Sequence, residues 1–174
     1  MNKEDILKSY RTTQEENIKK FIGKISNPLL FKLFLMIKLP MAFLANLKVK
    51  SVKSEYCEIT VPFKWLNQNP FRSTYFAVLA MAAEMSSGMI ALMYTQDSKP
   101  SVSMLVTNLE AKFTKKATGL TTFKCDEGKA IREAIERSIL TGEGQSVVCK
   151  AIGVNKNGEE EAVFEVTWSF KARG

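Results

Sequence analysis

The residue of this 174-residue chain best placed to do chemistry is Glu84. It lies inside Phe71 to Met93, read as FRSTYFAVLAMAAEMSSGMIALM. That stretch is apolar almost all the way round a helical wheel, which predicts a helix enclosed by other structure. At about 100° per residue, Ser73, Ala77, Ala80, Glu84, Gly88 and Ala91 fall on one narrow face, and Met81, Met85, Met89 and Leu92 on a neighbouring one. Small side chains allow close approach of a backbone or a ligand. A carboxylate set in that seam is paired with a cation, kept neutral by a raised pKa, or used in a reaction.

Composition removes much competing chemistry. The chain has no histidine, so His-based triads, His metal sites and imidazole base catalysis are excluded, and no metal site or cofactor is expected. Cys57, Cys125 and Cys149 are far apart and form no C-x-x-C pair; they are expected as reduced, buried thiols in a cytoplasmic protein. The formal net charge of +7 favours anionic partners such as a phosphorylated carrier, anionic lipid or nucleic acid. No phosphate-cradling glycine loop is present, and the lysines are not interleaved with aromatics as in nucleic-acid modules, so no nucleic-acid partner is expected.

Met1 to Lys20 is polar, without the apolar core of a signal peptide. Lys32, Lys38 and Pro40 interrupt the apolar run Leu29 to Leu47, and Glu84 interrupts the central helix, so stable membrane insertion is not expected.

The elements that must position Glu84 follow from periodicity. Glu4 to Ile25 reads as an amphipathic helix, weakest at Thr12 and Thr13. Asn27 and Pro28 read as cap and first residue of a second helix that Pro40 ends. Five lysines and no acidic residue lie between Asn27 and Ser54. This basic segment reads as a helix laid over a sheet with solvated lysines, or as an interfacial membrane helix.

Strand alternation starts at Leu47 and resumes from Cys57 to Phe63. A turn-rich loop, Lys64 to Pro70, leads to the central helix, with Asn69 and Pro70 as its cap or with a later start at Ser73 or Thr74. Val102 to Phe113 alternates with a phase shift at Asn108 that predicts a bulge. Leu120 to Cys125 is a fourth strand. Asp126 is expected to cap a helix with a Glu133–Arg137 pair, stopped by Gly142. Val147 to Val154 and Ala162 to Phe170 close the chain as a hairpin about Asn157 and Gly158. The order implies an α+β fold of about six antiparallel strands wrapped round one long central helix. Residues 1–46 form an N-terminal helical extension and 47–174 the main domain.

The order of elements, together with Asn69, Tyr75-Phe76-Ala77 and Leu79 to Glu84, resembles the hotdog superfamily from Leu47 to Phe170. Within it the chain is similar to the PaaI-like acyl-CoA thioesterase branch, and more so to an uncharacterised bacterial family related to that branch. The resemblance implies that Glu84 and Asn69 are the catalytic carboxylate and its orienter. It places Tyr75-Phe76-Ala77 where the branch has His-Gly-Gly, so that the amides of Phe76 and Ala77 at the helix start would polarise a thioester carbonyl. The implied partner is an acyl-CoA or similar thioester, and the implied assembly a homodimer or a dimer of dimers. The residues themselves leave a second reading open: a non-catalytic dimer that binds an acyl or other apolar ligand, with Glu84 buried against a cation and Asn69 a plain turn residue.

Overall fold

The computed structural model describes residues 3–173. Three helices, α1 (Lys3–Ser26), α2 (Pro28–Lys38) and α3 (Pro40–Leu44), precede strands β1 (Lys48–Val52) and β2 (Cys57–Pro62). The long helix α4 (Phe76–Thr95) follows, then β3 (Val102–Phe113), β4 (Leu120–Cys125), α5 (Gly128–Thr141), β5 (Gln145–Val154) and β6 (Glu160–Ala172). The six strands form one antiparallel sheet in the order β1-β2-β4-β5-β6-β3, with α4 against its inner face. The expected α+β architecture of a sheet about one central helix is therefore present.

Alternation decides which side of the sheet meets the helix. Along β6 the side chains of Ala162, Phe164, Val166, Trp168 and Phe170 are buried under α4, while Glu165 points to solvent. The expected bulge is there: β3 pairs with β6 in steady register on both sides of a shift between Val106 and Asn108. A Cβ at Gly153 would collide with the Phe123 ring, so this glycine lets that ring lie across β5.

The N-terminal helices are tied to the same core. The Tyr10 hydroxyl donates to the Tyr94 carbonyl at 2.9 Å, and Phe21, Ile25, Phe31 and Leu35 are buried with the residues of the sheet. Helix α1 runs unbroken through Thr12 and Thr13, whose hydroxyls donate to the carbonyls of Lys8 and Ser9. Asn27 Oδ1 caps α2 by accepting from the amides of Leu29 and Leu30, as its place before Pro28 implies.

Three local expectations are corrected. Helix α4 starts at Phe76, beyond both the expected cap at Asn69 and Pro70 and the later start at Ser73 or Thr74. Asn69 Oδ1 takes the amides of Phe71 and Ser73, Arg72 sits at a positive φ of 58°, and the Thr74 amide donates to the Ala117 carbonyl. These bonds hold residues 69–74 as a loop against the connection between β3 and β4. Asp126 does not cap α5: Glu127 occupies that position, and Asp126 pairs with Lys124 at 2.9 Å. The start of α5 is fixed instead by Gly128, whose amide donates to the Glu55 carbonyl at 3.0 Å and whose missing Cβ lets the two backbones touch. Glu133 faces Lys129 at 4.0 Å rather than Arg137. Gly142, with φ of 79°, ends α5 as expected.

Candidate functional site

Glu84 lies near the middle of α4 and is half-buried. Its side chain lies back over the next turn of the helix. A Cβ built on Gly88 would stand 3.0 Å from Glu84 Oε1 and 3.3 Å from Trp168 Cζ2, so only glycine leaves both groups where they are. The Trp168 indole N–H donates to Ser87 Oγ at 2.9 Å, and the Ser87 hydroxyl donates to the Glu84 carbonyl at 3.0 Å. Strand β6 thereby grips the turn of helix that carries the carboxylate.

The carboxylate opens on a cavity of about 430 Å³ between α2, α4 and β3. Phe34, Met85, Met89, Leu92 and Met104 make its wall mostly apolar, and Lys38 supplies a cation. Among the described residues no group forms an ion pair or a side-chain hydrogen bond with the Glu84 carboxylate, and burial alone pushes its pKa upward. The methionines of α4 thus serve both as core and as lining.

The second part of the predicted site lies at the start of α4. Tyr75 is the N-terminal cap residue but makes no side-chain capping bond. The first intrahelical amides to find an acceptor are those of Val78 and Leu79, which share the Tyr75 carbonyl, so the amides of Phe76 and Ala77 face outward at the positive end of the helix dipole. The Tyr75 and Phe76 rings meet edge to face with centroids 4.8 Å apart, and Phe76 remains 55% exposed. These residues line a groove of about 600 Å³ together with Asn69, Phe113, Lys115 and Lys116. Asn69 uses its side chain on its own loop: besides accepting from two amides, its Nδ2 donates to Ser73 Oγ at 3.1 Å.

One chain therefore brings Asn69, Tyr75 and Phe76 to one groove, with Ala77 next along the helix but outside its lining, and keeps Glu84 apart from them. Seven residues separate Ala77 from Glu84, about 10 Å along the axis at 1.5 Å per residue. Ala77, Ala80, Met81 and Glu84 are each only partly covered. Sequence reasoning missed the roles of Lys38, Ser87 and Trp168, because each depends on which strand or helix lies beside α4. Gly88 was visible as part of the small-residue face, which was the only available signal that something packs closely there.

The three cysteines are buried and unpaired, and burial pushes the Cys57 thiol well above its ordinary range, in keeping with a packing role. No group of metal-binding side chains occurs among the described residues. Helix α4 is long and apolar enough to cross a membrane, but 67% of that window is buried inside the fold.

Solved structures share this architecture. A Pseudomonas aeruginosa protein of unknown function, described as a probable thioesterase, is 17% identical with a TM-score of 0.71, over 84% of this chain and 97% of its own. A protein of unknown function from Chlorobaculum tepidum is 14% identical with a TM-score of 0.68, over 87% and 99%. A thioesterase from Haemophilus influenzae is 10% identical with a TM-score of 0.59, over 80% and 88%. At these identities the likeness is one of fold, and the fold is the hotdog. No curated protein matches the sequence. Residues 28–170 match the family model described as domain of unknown function DUF4442, a match that runs from the start of α2 through most of β6, and the chain belongs to that family.

Proposed function

We propose that this protein is a thioester hydrolase acting on an acyl chain carried by coenzyme A or a similar thiol, working as a homodimer. The observation that supports this reading most is the state of Glu84. A carboxylate kept for structure alone is matched by a cation or by donors, because burying it bare is costly. Among the described residues Glu84 forms no ion pair and accepts no side-chain hydrogen bond, although Lys38 lines the same mostly apolar cavity, and the absence of a Cβ at Gly88 leaves its carboxylate room beside Trp168. Glu84 takes a proton from water while the water oxygen bonds to the thioester carbon. The C–S bond then breaks, and the departing thiolate takes up a proton. Direct attack by the carboxylate instead expels the thiolate, which takes up a proton, and gives an acyl anhydride that water then cleaves to the free acid and the carboxylate.

In either course the carbonyl oxygen gathers negative charge, and the outward amides of Phe76 and Ala77 are the donors suited to it. They stand about 10 Å from Glu84 along α4, so the two parts meet at one carbonyl only if a second copy supplies one of them. Strand β3 is a sheet edge and leaves Leu105 and Leu109 exposed. Pairing of that edge with its counterpart across a two-fold axis removes the unpaired backbone and covers the half-exposed face of α4. Lys116, beside the groove at the helix start, suits the phosphates of the carrier, whereas Lys115 is held by Glu159 at 2.7 Å.

One observation favours a second reading, a dimer that binds an acyl group without cleaving it. The Tyr75 and Phe76 rings flank the helix start, where a thioester carbonyl needs open space. Hydrolysis assays over a panel of acyl-CoA thioesters, with Glu84→Gln run beside the wild type, separate the two. The hydrolase reading requires turnover that the variant loses. Inertness of both proteins, with an apolar acyl ligand retained, establishes the second.

A further inference from the structure

We propose that the α2–α3 face docks on a membrane surface rich in anionic lipid. Helix α2 is apolar on both sides. Phe31 and Leu35 point inward and are buried, whereas Leu29, Leu33, Met36 and Ile37 lie along the opposite arc in solvent, Leu29 at 75% exposure and Ile37 at 63%. Met41 and Leu44 of α3 continue the exposed apolar surface. The loop before α4 is fastened beside them: Lys64 Nζ donates to the Leu44 carbonyl at 2.8 Å and Asn67 Nδ2 to the Ala45 carbonyl at 2.9 Å. That fastening sets Trp65, 78% exposed, at the end of the same surface. An apolar surface of this extent marks a place where something binds.

Charge identifies the occupant. Between Asn27 and Ser54 there are five lysines and no acidic residue. Lys32 and Lys48 of this segment, with Lys64, border a cleft of about 660 Å³ between α2, α3 and β1, floored by Phe31, Leu35 and Leu47 and without a carboxylate in its lining. A cleft with an apolar floor and three ammonium groups at its rim suits a lipid phosphate and the first part of its chains. Exposed Leu, Ile and Met with a Trp at the margin suit the boundary between headgroups and acyl chains. A second copy of the chain related by a two-fold axis would set these lysines against their own counterparts, which is repulsive. The buried inner face holds α2 on the fold, so the helix lies in the interface plane and does not span it.

The test is flotation of the full chain with vesicles of mixed phosphatidylglycerol and phosphatidylcholine, against vesicles of phosphatidylcholine alone. We expect binding to the anionic vesicles that weakens as salt is raised, together with a blue shift in tryptophan emission. That shift reports on Trp65, since the other tryptophan, Trp168, is already buried. Lys32→Gln and Lys48→Gln should each weaken binding roughly fivefold, as removal of one lysine near such a surface does. Leu33→Glu and Met41→Glu, both at exposed positions, should abolish the emission shift with the melting temperature retained; the second guards against misfolding of the first. Failure to float at low salt, equal binding to neutral vesicles, or flotation by Leu33→Glu equal to wild type each overturns the proposal. So does loss of a dimer on Leu33→Glu, which would assign the face to a second copy, or an affinity for duplex nucleic acid that depends on the same lysines and exceeds that for the vesicles.

Discussion

Trp168 on the last strand donates its indole N–H to Ser87 Oγ at 2.9 Å, and Ser87 in turn donates to the carbonyl of Glu84. The turn of the central helix that carries its one carboxylate is thus held from the sheet side by a ring that also borders the space above Gly88. A methyl group at Gly88 would press on the carboxylate and on the ring together. The ring is fixed by its hydrogen bond, so the carboxylate is the group that moves.

Gly88→Ala should therefore separate stability from activity. Alanine gains about 1 kcal/mol of helix propensity over glycine, which offsets a contact of a few tenths of an ångström with the end of a flexible side chain. The melting temperature should stay within a few degrees of wild type, while thioester hydrolysis falls at least about tenfold because the base is displaced from its aim. Thermal denaturation and steady-state assays check this, and unchanged turnover in a well-folded variant would remove the positioning role of this turn.

Much of this arrangement was legible in the chain. Alternation at period two, with a short apolar run at Val147 and a turn before Leu120, located the six strands, and the phase shift at Asn108 located a bulge, because each depends on residues near one another in sequence. The start of α4 was misjudged because apolarity continues through Phe71, while the helix is delayed by bonds from Asn69 and from Ala117, a residue far along the chain. Asp126 failed as a cap for the same reason: the backbone of Glu55 decides where α5 begins. Glu84 could be singled out from its apolar surroundings, but the lack of an ion pair to it among the described residues, the ring of Trp168 beside its turn and the presence of Lys38 in the same cavity are tertiary facts that periodicity does not carry.

Asn69 offers a test between orienter and loop staple. Its Oδ1 accepts from the amides of Phe71 and Ser73. Asn69→Asp keeps an acceptor oxygen for both amides, giving up only the Nδ2 donor to Ser73 Oγ, and should melt near wild type, whereas Asn69→Ala leaves those amides unmatched and should cost about 1–2 kcal/mol. If Asn69→Asp also retains full hydrolysis, Asn69 only shapes the loop. A large drop in kcat with stability intact shows a direct part in orienting substrate or water.

Phe76 should set access to the start of the helix. Phe76→Gly removes the ring beside the outward amides, and the ring contact with Tyr75 goes with it. Turnover should rise, or longer acyl chains should become substrates, at a stability cost of about 1 kcal/mol for glycine in the first turn. An acyl-chain profile identical to that of wild type would show that the ring does not stand in the path of the substrate.

The assembly is testable without any substrate. Light scattering at micromolar concentration should give at least a dimer, and Leu109→Lys on the exposed side of the edge strand β3 should weaken it. Hydrolysis should fall in parallel with the dimer fraction, because Glu84 and the helix-start amides of one chain lie too far apart to serve one carbonyl. Full activity in a monomeric variant would defeat the shared site.

Glu84→Gln joins the chemistry to stability through one titration. Burial raises the Glu84 pKa above its ordinary value of 4.5, so the folded chain binds that proton more tightly than the unfolded chain does. The associated stability is fully present below pH 4.5 and is lost as pH rises through the folded pKa, above which wild type carries an unpaired, half-buried charge. Glutamine cannot acquire that charge. The melting temperature of Glu84→Gln should therefore match wild type in acid and exceed it at higher pH, the gap opening across the interval between 4.5 and the folded pKa. Wild-type hydrolysis needs the ionised form and should rise with pH through that same folded value, so the midpoint of the activity profile and the upper limit of the stability gap should coincide. A gap of opposite sign, with wild type the more stable at neutral pH, would show that a cation neutralises Glu84 in the assembled protein. Hydrolysis by Glu84→Gln at the wild-type rate would falsify its role as base or nucleophile.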